Sequence, residues 1–281
     1  MNTILVIGAT GNVGRHVVSQ LRATGGADVR VVVRPGHPAH GLDGIDVVTA
    51  SLDDPIGLRA AVRGVATVFL VWPILSTEGA PPVLEAIGRH AQRVVYLSSI
   101  GVGGPETQVD PIFKLHADME RLIEGCGLPR TVLRSDTIAS NTLGWADQIR
   151  TTGIVRAPLT AATAVIDPRD VAAVAALALV DDAHVGATYR LTGPAVISRP
   201  EQVEAIGTAI DRVLRFEAVP VQEARARMLA DGRPPALVDA LLAAAETRAP
   251  STLITAAVAE LTGRPARRFR QWAGDHREAF R

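Results

Sequence analysis

The feature that most constrains the fold is a glycine-rich turn that follows an apolar run near the start of the chain. The turn is Gly8-Ala9-Thr10-Gly11-Asn12-Val13-Gly14, and it joins a predicted strand over residues 3–7 to a predicted helix over residues 13–23. Its first glycine permits a tight bend, its second lets a ligand approach the backbone, and its third lets the helix pack closely on the strand. A helix that begins there offers free N–H groups and the positive end of its dipole to phosphate oxygens.

Short β-branched runs alternate with helical patterns through the first half of the chain. The predicted strands are residues 3–7, 29–33, 46–49, 67–71, 93–97 and 131–134. The helical patterns between them are residues 13–23, 55–62, 81–90 and 113–125. Strands that are apolar on both faces and separated by helices are typical of parallel sheets. We therefore predict an α/β fold with a Rossmann-like doubly wound parallel sheet.

In such a fold the glycine turn holds the pyrophosphate of a dinucleotide. We expect the turn to contact this cofactor through Gly8, Thr10, Gly11, Asn12, Val13 and Gly14. A structural glycine turn without a ligand is the alternative.

The pattern becomes mainly helical after Arg134. Helices are predicted over residues 138–151 and 170–179, a loop-rich stretch over 154–163, and strands over 188–192 and 215–219. We expect a dinucleotide-binding domain over residues 1–150, with a returning segment near residues 165–193. A smaller, mainly helical substrate lobe over residues 151–281 is expected to be interleaved with it.

Charge and cysteine content limit the partners. The chain of 281 residues has 29 Lys and Arg against 29 Asp and Glu, and a balanced charge argues against nucleic-acid binding. The single cysteine, Cys126, excludes an intramolecular disulfide and cysteine-based zinc sites. No secretory signal precedes the first strand, and the longest apolar stretch, residues 171–180, is too short to span a bilayer. We expect a cytoplasmic monomer or homodimer with no metal, nucleic-acid or membrane partner.

The end of the second predicted strand indicates which dinucleotide is bound. Sites that prefer NAD(H) place an acidic residue there for the ribose 2′-hydroxyl, but this sequence has Val33-Arg34-Pro35. The planar guanidinium of Arg34 is suited to a 2′-phosphate. We therefore predict that NADP(H) is preferred over NAD(H). An arginine that only faces solvent is the alternative.

Several later motifs resemble those of a known family. Ser51-Leu52-Asp53-Asp54 and Val95-Tyr96-Leu97-Ser98-Ser99 follow the glycine turn and Arg34 as in atypical short-chain dehydrogenase/reductases. The runs from Glu120 to Glu124 and from Gly127 to Arg134, followed by Asn141 and by Asp170-Val171-Ala172, resemble the NmrA-like, NAD(P)H-binding branch. The resemblance covers essentially the whole chain. With it, further cofactor contacts are expected from Leu52, Asp53, Val71, Trp72, Ser98 and Lys114.

The sequence departs from this family at the catalytic acid. Reductases of the wider superfamily use a tyrosine and, four residues later, a lysine that lowers the pKa of its phenol. The resemblance places that lysine at Lys114, but Asp110 stands in the place of the tyrosine. The two tyrosines of the chain, Tyr96 and Tyr189, lie elsewhere in predicted strands. Ile100 likewise occupies the position of a third serine that touches substrate in related enzymes.

Three side chains are candidates to assist catalysis. Lys114 and His116 lie near the start of one predicted helix, and Ser99 lies at the end of the preceding strand. An ammonium can stabilise a developing negative charge, and an imidazole can donate a proton near neutral pH. Ribose binding or solvent exposure for Lys114, a packing role for His116 and a loop-anchoring role for Ser99 are the alternatives.

The predicted substrate side is apolar and aromatic. We expect it to include Trp72, Phe113, Met119, Asn141 and Trp145. Apolar walls with few polar groups suit a flat hydrophobic ligand. Core or interface roles for Trp72 and Trp145 are the alternatives.

Two functions are compatible with these motifs. The first is an NAD(P)H-dependent oxidoreductase that reduces a ketone or quinone of a hydrophobic, polycyclic aromatic substrate without the usual tyrosine acid. The second is a non-catalytic NADP(H) sensor that regulates a partner protein, a function that also occurs among NmrA-like proteins. The missing tyrosine favours the sensor, whereas the aromatic residues favour the enzyme.

Overall fold

The order of strands and helices follows the alternation visible in the sequence. The computed structural model of the chain describes residues 3–38 and 40–281. Within them the strands are β1 (Thr3–Ile7), β2 (Asp28–Val33), β3 (Asp46–Thr49), β4 (Val65–Leu70), β5 (Arg93–Ser99), β6 (Arg130–Ser135), β7 (Ile154–Ala157), β8 (Thr188–Leu191) and β9 (Arg215–Ala218). The α-helices are α1 (Gly14–Thr24), α2 (Pro55–Val62), α3 (Ala80–Gly88), α4 (Pro111–Gly125), α5 (Ala146–Thr152), α6 (Pro168–Val180), α7 (Arg199–Ala209), α8 (Val221–Ala230), α9 (Pro235–Thr247), α10 (Ala257–Thr262) and α11 (Phe269–Asp275).

The chain divides into two units, and each is made of three segments. The first unit comprises Met1–Val102, Leu115–Arg134 and Pro168–Arg190, and the second comprises Gly103–Lys114, Ser135–Asp167 and Leu191–Arg281. Residues 135–150 group with the second unit because the chain leaves the sheet at the end of β6. The boundary predicted near residue 150 stays a prediction.

The first unit is built on a seven-stranded sheet in the order β3-β2-β1-β4-β5-β6-β8. Strand β1 pairs in parallel with β2 on one side and β4 on the other, and the β2–β3 and β4–β5 pairs are also parallel. This arrangement confirms the predicted α/β, Rossmann-like sheet. The predicted return of the chain to the sheet edge near residue 188 is strand β8.

Helices cover this sheet with apolar side chains. Residues Leu5, Val68 and Leu70 of the strands form one core cluster with Leu84 of α3 and Ile123 of α4. Each side chain of this size that is removed from water contributes about 1.5–3 kcal/mol to folding. Helices α1 and α6 pack against each other and against strands of the sheet.

The second unit has its own core and a small sheet. Strands β7 and β9 pair in parallel, with Ile154 opposite Arg215. Trp272 of α11 is fully buried and stacks between Phe269 and His276, with ring centroids 5.5 and 4.5 Å away. The core of the second unit is therefore formed around an aromatic cluster rather than around a large sheet.

Two sequence predictions in this region are corrected by the structure. The stretch predicted as a loop over residues 154–163 begins with strand β7, whose Arg156 pairs with Glu217 of β9 at 2.7 Å. A four-residue strand whose partner lies about sixty positions away leaves no local periodic signal. The helix predicted over residues 138–151 begins as a 3-10 helix at Ala139–Trp145, because Asn141, Thr142 and Gly144 are poor α-helix formers.

Candidate dinucleotide site and active site

The glycine turn has the shape that a phosphate-binding loop requires. The N–H of Gly11 donates to the carbonyl oxygen of Gly8 (2.9 Å) and closes the turn after β1. Gly8 has a φ of +92°, and a Cβ there would lie 3.0 Å from the Cβ of Val71. A Cβ at Gly14 would collide with the Gly8 carbonyl group. Only glycine fits at these two positions, as the spacing predicted.

The start of α1 lacks the capping groups that usually satisfy a helix N-terminus. Its N-cap residue is Val13, no side chain caps it, and its first turn holds no acidic residue. Valine is among the poorest N-cap residues, and a polar cap contributes about 1 kcal/mol. Thr10, Gly11 and Asn12 are exposed beside this end, whereas Val13 is buried. The open N–H groups and the tight turn together fit a dinucleotide pyrophosphate.

A pair of basic side chains follows the end of β2. Arg34 is exposed, and its Nη2 lies 2.8 Å from Nε2 of His37. The backbone turn between the two residues is closed by the N–H of His37, which donates to the Arg34 carbonyl oxygen (3.1 Å). Sequence analysis did not single out His37. Its signal was a second basic residue three positions after Arg34.

The residues after β3 have separate roles. Leu52 is half-buried and packs against the core of the first unit, whereas Asp53 is exposed. Asp54 is the N-cap of α2 and accepts from the N–H groups of Ile56 and Gly57, both at 3.1 Å. Asp54 is therefore a structural residue, and Asp53 is the carboxylate left facing solvent at this edge.

The two side chains after β4 are more buried than side chains that contact a substrate need to be. Val71 is half-buried. Trp72 is 4% exposed, belongs to the core cluster, and donates its indole N–H to the Ser76 carbonyl oxygen (3.0 Å). This burial favours the alternative core role for Trp72.

A partly buried hydrogen-bonded network supports the end of β5. The hydroxyl of Ser98 donates to Oε1 of Glu120 (2.5 Å), and Arg134 holds the same carboxylate through Nε and Nη2 at 3.0 and 2.6 Å. Arg134 also donates to the Val102 carbonyl oxygen at 3.1 Å. Ser98 thus anchors the strand end, and Ser99, half-buried beside it, is the last residue of β5. Glu120 and Arg134 had appeared in the sequence only as members of family motifs.

Tyr96 contacts one of the catalytic candidates. Its hydroxyl lies 2.8 Å from Nδ1 of His116 on α4. Burial of the ring, together with the negative charge of Glu120, raises the pKa of the Tyr96 phenol above its usual value. The phenol stays protonated, and when it donates to Nδ1 the imidazole proton lies on Nε2. This pair could not be predicted from the sequence, because its members are on different elements.

Asp110, which stands at the position of the missing tyrosine, has a structural role in this protein. Asp110 is fully buried, and its Oδ1 accepts from the N–H groups of Ile112 (2.8 Å) and Phe113 (3.1 Å) at the start of α4. Its Oδ2 accepts from Nη2 of Arg248 at 2.7 Å. Lys114 lies one turn further along α4 and is exposed. Both oxygens of Asp110 are therefore committed within the second unit.

The predicted substrate residues differ in exposure. Phe113 is 5% exposed, and the Arg248 guanidinium lies 4.2 Å from the centre of its ring. Asn141 is exposed, and Trp145 is half-buried against the core of the second unit. Met119 is fully buried in the core of the first unit. The substrate roles of Phe113, Asn141 and Trp145 stay predictions.

Comparison with known proteins identifies the family. The model of an NAD(P)H-binding family matches residues 8–182. The chain belongs to this family. It is 39% identical to a (4-alkanoyl-5-oxo-2,5-dihydrofuran-3-yl)methyl phosphate reductase of Streptomyces griseus, over 99% of both chains. It is 30% identical to an NAD(P)H azoreductase of Xenophilus azovorans, again over 99% of both chains.

The fold is shared with a solved structure of an NADPH-dependent quinone oxidoreductase from Escherichia coli complexed with NADPH. The TM-score is 0.79 at 21% identity, and the match covers 97% of this chain and 99% of the other. This likeness confirms the predicted fold, and the family model and the two reductase relatives confirm the predicted family and enzyme class, an NAD(P)H-dependent reductase. The enzyme, rather than the sensor, is the function that the relatives support.

The described part of the chain offers neither a metal site nor a membrane-spanning helix. Among residues 3–38 and 40–281, no group of three or more His, Cys, Asp or Glu side chains is arranged to hold a metal ion. None of the helices in the same ranges has the length and apolar character needed to cross a membrane.

Proposed function

We propose that this reductase uses NADPH to reduce an electron-poor conjugated acceptor, such as an enone or a quinone, on a hydrophobic small molecule. The observation that carries the proposal is the use made of Asp110. It occupies the place of the tyrosine acid, and its two oxygens are bound by α4 and by Arg248. The acceptor must therefore be one whose reduction does not require a tyrosine hydroxyl as the proton donor.

Conjugated acceptors meet this condition. A dinucleotide held by the glycine turn would supply a hydride. In a conjugated acceptor the resulting negative charge would spread onto a carbonyl oxygen as an enolate or phenolate. Such an anion is a weaker base than the alkoxide formed from an isolated ketone. General acid catalysis therefore contributes less to its formation, and a weaker proton donor is sufficient.

The relatives support this class of acceptor. The compound in the name of the Streptomyces relative is a 5-oxo-2,5-dihydrofuran with a 4-alkanoyl group. Its ring double bond is conjugated with two carbonyl groups. The Xenophilus relative is named for reduction of an azo group, which is also an unsaturated acceptor. A polycyclic aromatic quinone belongs to the same class and is our narrower proposal.

For the proton, we propose His116, with Lys114 and Ser99 stabilising the negative oxygen. The Tyr96 hydroxyl, 2.8 Å from Nδ1, would orient the imidazole so that Nε2 is the donor. Ser98 is left out of this set because its hydroxyl donates to Glu120. The acceptor would lie against the predicted residues Phe113, Asn141 and Trp145, whereas the burial of Trp72 favours its core role.

For the cofactor, we propose NADP(H) in preference to NAD(H). The exposed Arg34 and its neighbour His37 offer two nitrogen donors to a 2′-phosphate. The glycine turn from Gly8 to Gly14 would hold the pyrophosphate, with Thr10, Asn12 and Val13 beside it. The remaining contacts would come from Leu52, Asp53, Val71, Trp72, Ser98 and Lys114.

Steady-state kinetics with matched substrates test the acceptor class. Purified protein and NADPH are mixed with an alkanoyl butenolide or a quinone, and in parallel with the saturated ketone of the same skeleton. Loss of the reduced-nicotinamide absorbance gives kcat/KM for each compound. We expect the conjugated compounds to react at least roughly 100-fold faster than the ketone, which is the scale of general acid catalysis.

A single variant checks the proposed proton donor. His116→Gln is expected to lower kcat and remove the pH dependence of kcat near neutrality, while the dissociation constant for NADPH stays unchanged. His184→Gln is the matched control, since His184 also contacts a tyrosine hydroxyl at 2.8 Å. Equal rates for ketone and conjugated acceptor would contradict the acceptor class, and an unchanged pH profile would contradict the role of His116.

A further inference from the structure

One carboxylate, that of Glu120, joins both ends of the turn that carries Ser99. The N–H of Val102 closes this turn by donating to the Ser99 carbonyl oxygen at 3.2 Å. Just before the turn, the Ser98 hydroxyl donates to Oε1 of Glu120 at 2.5 Å. At its end, the Val102 carbonyl oxygen accepts from Nη1 of Arg134 at 3.1 Å, and Arg134 binds Glu120 through its other two nitrogens. Glu120 therefore holds the turn from both sides.

The same carboxylate also links α4 to β5 beside the proposed proton donor. Glu120 follows His116 by four residues on α4, and Ser98 follows Tyr96 by two residues on β5. Residues four apart on a helix share a face, and so do residues two apart on a strand. The Tyr96–His116 contact at 2.8 Å and the Ser98–Glu120 contact are thus successive links between the two elements. A shift of Glu120 would displace the proton donor and the turn together.

The ion pair of Glu120 with Arg134 is suited to orientation more than to stability. The two side chains are 13% and 23% exposed, and the guanidinium binds both carboxylate oxygens through Nε and Nη2. A bidentate pair fixes the direction of both side chains as well as their separation. Taking two charges partly out of water offsets much of the energy that the pair gains. An apolar contact would stabilise the fold as well, but it would fix no direction.

We propose that Glu120 is a positioning residue for catalysis, which holds Ser99 and His116 in the arrangement in which they act on the acceptor. It acts on the turn through Ser98 and Arg134, and on the imidazole through the shared helix face. All of these residues lie in the first unit. The inference rests on the proposed function, which assigns Ser99 and His116 their roles. Misplacement of reacting groups by about 1 Å can lower a rate about 100-fold.

Glu120→Gln tests the proposal with little change in shape. The amide has one acceptor oxygen where the carboxylate has two, so it cannot hold the Ser98 hydroxyl and both Arg134 nitrogens. We expect kcat with a conjugated acceptor to fall roughly 10- to 100-fold, while KM and the dissociation constant for NADPH change by less than about twofold. Arg134→Lys keeps a cation beside Glu120 but loses the planar fork, so a smaller fall in kcat is expected.

Glu124→Gln is the matched control. Glu124 lies one turn further along α4 and pairs with Arg130 of β6 at 2.6 Å, so it makes the same kind of link between helix and strand. Because its partner is Arg130 and not Arg134, the link to Val102 stays intact. We expect this variant to keep the kcat of the unsubstituted protein.

Two measurements separate positioning from a general loss of structure. In Ser99→Ala and His116→Gln a group to be positioned is already absent, so adding Glu120→Gln should lower kcat less than it does in the unsubstituted protein. A merely structural role would lower kcat by the same factor in every background. Without any turnover, hydrogen exchange of the Val102 amide should be roughly tenfold faster in Glu120→Gln than in Glu124→Gln, because the turn opens more often.

The possible failures are distinguishable. Equal kcat for Glu120→Gln and Glu124→Gln, equal falls in all backgrounds, or unchanged exchange of the Val102 amide would overturn the proposal. A loss of NADPH affinity as large as the loss of kcat would assign Glu120 to cofactor binding and overturn it too. Absence of turnover with every conjugated acceptor would instead remove the proposed function, and the exchange of Val102 would then decide alone whether Glu120 holds the turn.

Discussion

The glycine turn of the first unit and the ion pair between Asp110 and Arg248 in the second unit are built differently. The turn lies within seven consecutive residues and offers backbone N–H groups at the start of α1. The ion pair joins the side chain of Asp110 to that of Arg248, which is 138 positions later in the chain. The comparison shows that a backbone site needs only a local pattern, whereas a side-chain site needs the completed fold.

The sharpest test of this difference is removal of the buried carboxylate. Asp110→Ala deletes the cap of α4 and leaves Arg248 without its counter-charge, so we expect a loss of about 3 kcal/mol in the free energy of unfolding. Denaturant unfolding followed by circular dichroism measures it. The double variant Asp110→Ala with Arg248→Met should recover part of the loss. Equal stability of single and double variants would show that the ion pair has no part in the effect.

The backbone site is tested by adding one methyl group. In Gly14→Ala the new Cβ meets the Gly8 carbonyl group, and we expect a loss of about 1–3 kcal/mol in stability. Displacement of the turn should also weaken NADPH binding at least about tenfold, as measured by fluorescence titration. Gly88→Ala is the matched control at the end of α3, where a Cβ meets nothing within 4 Å. Equal behaviour of the two variants would refute the packing argument.

The proposed choice of cofactor depends on an exposed side chain, so a change there should alter binding and leave folding intact. Arg34→Ala is expected to weaken NADPH binding roughly tenfold through loss of a charge-assisted contact, with NADH binding and thermal stability unchanged. Arg22→Ala, an exposed arginine in the last turn of α1, provides the control. A parallel loss for both dinucleotides would remove the 2′-phosphate assignment.

The smallest effect is expected from the buried phenol. Because the folded pKa of Tyr96 is raised above its unfolded value of about 10, the proton it holds stabilises the fold fully below pH 10. Stability should fall above that pH, by up to about 1.4 kcal/mol per pH unit from this one group. Tyr96→Phe should flatten this alkaline decline. Tyr189→Phe, which also deletes a hydroxyl bonded to a histidine, should retain it.

Sequence analysis predicted most of the first unit and its cofactor turn. The strands of the sheet were located to within about two residues because buried parallel strands and amphipathic helices have strong local periods. Strand β7 was missed because its partner β9 follows some sixty residues later. The roles of Glu120 and Tyr96 were missed for the same reason, since their partners Arg134 and His116 lie 14 and 20 positions away on other elements.

The sequence by itself determined the glycine turn, the parallel sheet and the absence of tyrosine at position 110. These properties depend on backbone conformation and on the order of residues along a short segment. Only the tertiary structure decided that Asp110 holds Arg248 and that Tyr96 contacts His116. Such contacts join side chains that are far apart in the chain, and their energies exist only once both partners have been enclosed together.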